Sequence, residues 1–287
     1  YGLSAISRYE LSMRLFRHLR THAPEIALSR DIFERVCSEL VQVRLLNPVE
    51  PISKSRAYVL FGAQKAAAGE LFCCIDPFAY VSHLSALEYH GLTDRFSKML
   101  YITRPRLPNW KSFALDRMKH ELGEGYETYQ RSGLESLRAP RVASLGGSAV
   151  HITTHTHLGA FRNVAGSALR VSTLGRVFLE MLRNPDLCGG MQHVIDIYKN
   201  HAGRYLRLIV QDIDRHGLVI DKVRAGFLLA EVCGFEDPMI LGWQQFASRG
   251  GSRKLDPEGE YASEFSERWM LSINVPSLSR VVNVQTG

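Results

Sequence analysis

The chain has 287 residues, of which 45% are hydrophobic, and carries 35 Lys and Arg against 29 Asp and Glu, a net charge of +6. This length and composition predict one large or two modest globular domains. No run of about 18 apolar residues occurs, so a membrane span is not expected. The N-terminus lacks the layout of a signal peptide, and the five cysteines form no Cys-x-x-Cys pair. We therefore expect a cytoplasmic protein without a disulfide framework or a zinc site.

The first 65 residues have the pattern of a winged helix-turn-helix domain. Leucines at four-residue spacing predict an amphipathic helix over residues 4–20, and Ser29 can cap a second helix that runs to about Val43. Asn47-Pro48 then breaks the chain, and residues 53–61 read as a basic turn followed by a strand. Two helices, a basic turn and a strand are the order that a winged helix-turn-helix requires, although one helix is missing from the usual three.

Positive charge is concentrated in the N-terminal half of the chain. Residues 95–119 hold seven Lys and Arg against Asp116 alone, and residues 1–56 hold nine basic against six acidic residues. This distribution predicts double-stranded DNA as a partner. The expected DNA contacts come from the second helix, from the basic turn and from the segment after residue 94: Ser29, Arg30, Arg35 and Gln42; Lys54 and Arg56; and Arg95, Lys98, Arg104, Arg106 and Lys111.

Residues 66–287 predict a larger mixed domain whose second half is helical. Apolar runs predict strands at 71–75, 99–103, 150–153 and 169–172, and a last strand at 269–275. Helices are predicted at 173–183, 191–202, 205–216, 219–233 and 237–248, with glycines between them or at their ends. The expected fold class is therefore mixed α/β, of the α+β kind, with a domain boundary between residues 65 and 66.

Residues 79–94 predict a short helix that begins after Ser82 and ends at Gly91. Within it, Ser85-Ala86-Leu87 followed by His90-Gly91-Leu92 resembles a signature of the AbiEi family. Members of that family are antitoxins and winged-helix repressors of bacterial abortive-infection operons. Three further segments are similar to the family: residues 169–180, the turn at 183–190, and residues 253–257 together with the Trp269 strand.

The resemblance implies a repressor without catalytic residues, metal or cofactor. It implies binding to an inverted repeat in the protein's own operator and antitoxicity against a nucleotidyltransferase-like toxin, mainly through the C-terminal domain. Val177 and Glu180 stand where the family usually has Thr and Asp. By their spacing, Arg176 and Glu180 share one helix face, which predicts that they pair or satisfy buried partners.

Two alternatives stay open from the sequence. One is a protein-interaction module that does not bind DNA, in which the C-terminal helices dock a partner. The other is a metal-dependent enzyme that uses His151, His155 and His157, since these three residues would share one face of a regular strand.

Overall fold

A computed structural model describes residues 4–49, 57–63, 66–248 and 253–278. The chain divides into two compact units. Unit 1 comprises Tyr1–Val81, Lys98–Leu158 and Arg162–Val171, and unit 2 comprises Ser82–Ser97, Gly159–Phe161 and Ser172–Gly287. The mixed α/β class is confirmed, while the predicted boundary between residues 65 and 66 falls inside unit 1.

Helices and strands alternate irregularly along the described residues. The helices are α1 (Arg8–His22), α2 (Arg30–Gln42), α3 (Ala68–Ile75), α4 (His83–Tyr89), α5 (Leu107–Leu122), α6 (Tyr126–Arg131), α7 (Leu174–Arg183), α8 (Met191–His216), α9 (Val219–Gly226) and α10 (Pro238–Gly242). The strands are β1 (Ala5–Ser7), β2 (Leu46–Pro48), β3 (Ala57–Leu60), β4 (Tyr80–Val81), β5 (Met99–Pro105), β6 (Ser144–Leu145), β7 (Ser148–His155), β8 (Phe161–Asn163), β9 (Arg170–Ser172), β10 (Phe265–Ser266) and β11 (Leu271–Ser272). Within the described ranges, the sheet orders are β1-β3-β2, β6-β7-β5-β4-β9-β8 and β10-β11.

The N-terminal elements of unit 1 are a strand, two helices and an antiparallel pair of strands. Helices α1 and α2 are followed by the antiparallel pair β2–β3. Strand β1 pairs antiparallel with β3, on the side away from β2. Ser29 caps α2 as predicted, since its hydroxyl accepts a hydrogen bond from the Ile32 N–H at 3.4 Å. Ser7 caps α1 in the same way, through the Glu10 N–H at 3.1 Å.

Helices from later in the chain pack against α1 and α2. Tyr9, Phe16 and Phe33, on α1 and α2, share one buried core with Met118 and Tyr129, on α5 and α6. The edge of the Phe16 ring packs against Tyr129 with centroids 5.1 Å apart. Helices α1 and α2 therefore bury their apolar faces against residues beyond the predicted boundary, which is why that boundary lies within unit 1.

The predicted strand at residues 71–75 is wrong, because these residues form the second half of α3. A short apolar run has no periodicity that separates a buried strand from a buried helix. The helix is completed by Arg170, whose guanidinium donates to the carbonyl oxygens of Cys73 at 2.7 Å and Asp76 at 2.6 Å. A cation at this position satisfies the free carbonyls of a helix C-terminus and favours its dipole.

Unit 2 is mainly helical, as predicted, but its longest helix is undivided. The predicted helices at 191–202 and 205–216 form the single helix α8, which runs through Gly203. Helix α8 approaches α7 closely at Gly175, where an added Cβ would lie 2.4 Å from the Leu208 carbonyl oxygen. Helix α4 ends as predicted: Gly91 has a φ of +64°, and the Leu92 N–H bonds to the Leu87 carbonyl at 2.9 Å.

Among the described residues, no helix combines the length and the apolar composition that a membrane crossing requires.

Candidate nucleic-acid interface

Charge is divided unequally between the two units. Unit 1 contains 21 Lys and Arg against 13 Asp and Glu, a net charge of +8. Unit 2 contains 14 against 16, a net charge of −2. Unit 1, which contains α1, α2 and the strands β1 to β3, is therefore the more basic of the two units.

Helix α2 exposes most of its predicted contact residues. Arg30, Arg35 and Gln42 are exposed, whereas the Ser29 hydroxyl is engaged in the N-terminal cap. The two arginines of α2 are outnumbered by its three carboxylates: Asp31, Glu34 and Glu39. Helix α2 can therefore present arginine and amide groups to base edges, but its net charge gives it no attraction for phosphate.

Helix α1 carries a basic face that we did not predict as a contact surface. Arg14, Arg17 and Arg20 are exposed, and the Arg20 guanidinium carbon lies 5.8 Å from the centroid of the buried Phe16 ring. Arg14 is paired with Glu10 at 2.7 Å. The signal was present in the sequence, since α1 contains four arginines and one acidic residue. We call Arg14, Arg17 and Arg20 the α1 basic face.

The basic segment at residues 95–119 is divided between the two units. Arg95 belongs to unit 2, where its guanidinium donates to the Gly189 carbonyl at 3.0 Å, whereas Lys98 and the later residues belong to unit 1. Lys98, Arg106 and Lys111 are exposed, as a DNA contact requires. Arg106 and Lys111 lie at the beginning of α5.

The prediction that Arg104 contacts DNA is wrong, because its side chain is buried in unit 1. Its guanidinium donates to the Asp76 carboxylate at 3.3 Å and to the Pro140 carbonyl at 2.9 Å. Asp76 is fully buried and also accepts from the Trp110 indole N–H at 2.8 Å. Burial raises the pKa of the Asp76 carboxyl, although the bonds from Trp110 and Arg104 oppose this shift.

Replacement of Arg104 tests this internal role. We expect Arg104→Met to lower the free energy of unfolding by about 3–5 kcal/mol at neutral pH, because it leaves Asp76 buried without its cation. The difference in unfolding free energy between Arg104→Met and wild type should be smaller at mildly acidic pH, because a protonated Asp76 is neutral and needs no cation. Urea unfolding at both pH values measures this, with the exposed neighbour Arg106→Ala as the control expected to stay within about 0.5 kcal/mol of wild type. Equal stability of the two variants would place Arg104 at the surface.

Lys54 and Arg56, the predicted contacts of the basic turn, lie outside the described residues. The strands on either side, β2 and β3, pair antiparallel with Asn47 opposite Val59. In the chain, both basic residues lie between β2 and β3.

The three histidines of the enzyme alternative do not meet as a metal site. His151 and His155 lie on β7, whereas His157 lies beyond the end of that strand. Across the described part of the chain, no group of three His, Cys, Asp or Glu side chains is arranged to hold a metal ion. The regular strand on which the three would share a face ends too early for that geometry.

The family-like segment of unit 2 forms a buried polar network. Arg176 and Glu180 pair at 3.3 Å with side chains only 5% and 4% exposed. Glu180 also accepts from the Ser172 hydroxyl at 3.0 Å and from the His83 N–H at 3.2 Å. These contacts agree with an architectural role: they join β9, α4 and α7 through one carboxylate.

Comparisons with known proteins add no family. No family model matches the chain, and no curated protein matches it. Among solved structures, the chain is similar to the crystal structure of the RV2827C protein from Mycobacterium tuberculosis, with 11% identity and a TM-score of 0.47. The match covers 99% of this chain and 90% of that chain. A likeness of this degree carries no argument about function.

Proposed function

We propose that this protein is a DNA-binding transcriptional repressor that autoregulates its own operon. The observation that carries the proposal is the coincidence of two features in unit 1: two helices followed by an antiparallel strand pair, the order that a winged helix-turn-helix requires, and a net charge of +8. Neither feature would suffice alone, because basic surfaces occur without DNA binding and helix pairs occur without basic surfaces.

In this proposal, specificity and attraction come from different elements. Helix α2 enters the major groove, where Arg30, Arg35 and Gln42 reach base edges. The α1 basic face, Arg106 and Lys111 contact phosphates, which compensates for the acidic residues of α2. Lys54 and Arg56 would add backbone or minor-groove contacts from the turn between β2 and β3.

The antitoxin role follows from the resemblance to the AbiEi family. We propose that the protein opposes a nucleotidyltransferase-like toxin encoded in the same operon, that it acts in the cytoplasm, and that it is not an enzyme. An inverted repeat in its own promoter is the proposed operator.

Salt dependence of DNA binding is the experiment that tests this function. If about six phosphates are neutralised, log K should fall against log[salt] with a slope of roughly −5. We expect Arg17→Ala to reduce that slope by about 1 and to weaken operator and unrelated duplexes alike. Fluorescence anisotropy titrations at several salt concentrations measure both quantities. If DNA affinity depends neither on the salt concentration nor on the DNA sequence, the result would instead favour the protein-interaction module.

A further inference from the structure

Arg8 lies at the first position of α1 and connects four parts of unit 1. Each of its guanidinium nitrogens donates to a different partner: Nε to Glu135 at 3.1 Å, Nη1 to the Tyr58 hydroxyl at 2.8 Å, and Nη2 to Glu34. Its guanidinium carbon also lies 5.2 Å from the centroid of the Phe33 ring. Only 13% of the side chain is exposed, so Arg8 is not available to bind phosphate.

The partners of Arg8 come from distant parts of the chain. Glu34 and Phe33 lie on α2, Tyr58 lies on β3, and Glu135 follows α6. Burial lowers the pKa of the Arg8 guanidinium, yet Tyr58, Glu135 and Glu34 outweigh burial and leave the pKa above its ordinary value. Arg8 therefore remains a cation with three fixed bond directions, which a lysine ammonium does not provide.

A cleft of about 590 Å³ lies between α2 and the β2–β3 hairpin, and Arg8 lines it. Glu34, Ser38 and Gln42 border the cleft from α2, and Pro48 and Tyr58 border it from the hairpin. Because the cleft separates these two elements on this side, their direct packing is incomplete there. Arg8 bridges the gap: one of its nitrogens holds Glu34 of α2, and another holds Tyr58 of β3.

We propose that Arg8 is a positioning residue for operator recognition, which fixes α2 against the β2–β3 hairpin without contacting DNA. The inference rests on the proposed function. Glu34 directly precedes Arg35 and lies one turn after Arg30, so holding Glu34 sets the rotation of α2 about its own axis. Bidentate contacts to bases require that rotation, whereas attraction to phosphate tolerates a change in it.

The test compares the operator duplex with an unrelated duplex of the same length over a range of salt concentrations. For Arg8→Lys we expect the ratio of the affinity for the operator to the affinity for the unrelated duplex to fall about tenfold or more. Lysine keeps the positive charge but lacks the planar guanidinium that bonds to three partners in fixed directions. The salt slope should stay unchanged in Arg8→Lys and also in the neutral variant Arg8→Gln, since Arg8 contacts no phosphate. Tyr58→Phe removes one acceptor of Arg8 and Glu135→Gln removes one of its counter-charges, so each should lower the same ratio by a smaller factor. If Arg8→Lys does not fold, the proposal is tested with these two variants instead.

Arg17→Ala is the matched comparison, because it should weaken both duplexes equally and lower the slope. If the wild type prefers its operator and Arg8→Lys and both partner variants keep that preference, the proposed role of Arg8 is wrong. The proposed function is not affected by that result. A slope lowered by about 1 in Arg8→Gln, which removes the charge that Arg8→Lys keeps, would also overturn the role of Arg8 by making it a phosphate contact. A wild type without any operator preference would overturn the proposed function and the role of Arg8 together.

Discussion

Replacing Arg30 and Arg35 together by alanine is expected to lower operator affinity by a factor of about 30 to 10⁴. Each bidentate contact between an arginine and a base is worth about 1–3 kcal/mol of discrimination, and the double variant removes two. Both side chains are exposed on α2, and Arg30 lies at its N-terminus, the part of a recognition helix that reaches base edges. Titration of a labelled duplex containing the upstream region, at one fixed salt concentration, measures the loss.

The control for this double variant is Arg204→Ala/Arg207→Ala. These arginines are exposed on α8 in unit 2, so their replacement removes the same charge from the unit whose net charge is negative. We expect operator affinity to stay within about twofold of wild type in the control. Equal losses in the two double variants would mean that net charge, and not the contacts of α2, governs binding.

Glu180→Gln is expected to lower the free energy of unfolding of unit 2 by about 3–5 kcal/mol. The substitution preserves shape but removes the negative charge that Arg176 faces, and both side chains are buried. A buried cation left without its counter-charge costs far more than the pair contributes as a whole. Chemical denaturation followed by tryptophan fluorescence measures the change, since two of the three tryptophans, Trp243 and Trp269, are buried in unit 2.

The double variant Arg176→Met/Glu180→Gln separates charge pairing from general disruption of the core. Removing both charges should cost less than the sum of the two single replacements, because no uncompensated charge remains. Glu236→Gln, at an exposed position of the same unit, should change stability by less than about 0.5 kcal/mol. If Glu180→Gln behaved like this surface control, the Arg176–Glu180 pair would not stabilise unit 2.

The elements that the sequence predicts well are those with local signals at their ends. Ser29 marks the start of α2 and Gly91 marks the end of α4, because a cap depends on one side chain or on one backbone conformation. Gly189 and Gly190, both with a φ of +91°, form the predicted turn for the same reason. Such features need no knowledge of the remaining fold.

The predictions that are wrong concern elements whose structure depends on residues that are distant in the chain. Residues 71–75 form a helix whose last carbonyls are satisfied by Arg170, about 95 residues away in the chain. Gly203 does not interrupt α8, because the helix is held by its packing against α7 and not by propensity alone. The core that α1 and α2 share with α5 and α6 has no signal in the first 65 residues.

The sequence predicts only part of the candidate interface, because the exposure of a side chain also depends on residues that are distant in the chain. Composition locates the basic charge in the N-terminal half, but composition does not separate an exposed arginine from a buried one. Successive residues on a strand point to opposite faces, and Arg104 of β5 points into the core, where Asp76 is its partner. The leucine spacing of α1 identifies the arginines of the α1 basic face only as the polar part of an amphipathic helix and does not mark them as contacts.

Protection mapping on the DNA upstream of the gene tests operator binding most directly. Wild-type protein should protect an inverted repeat in that region, and Arg30→Ala/Arg35→Ala should abolish the protection at the same protein and salt concentrations. Arg204→Ala/Arg207→Ala should leave the protected region unchanged. Wild-type protein that protects no defined region, or protection that survives in Arg30→Ala/Arg35→Ala, would contradict recognition of an operator through α2.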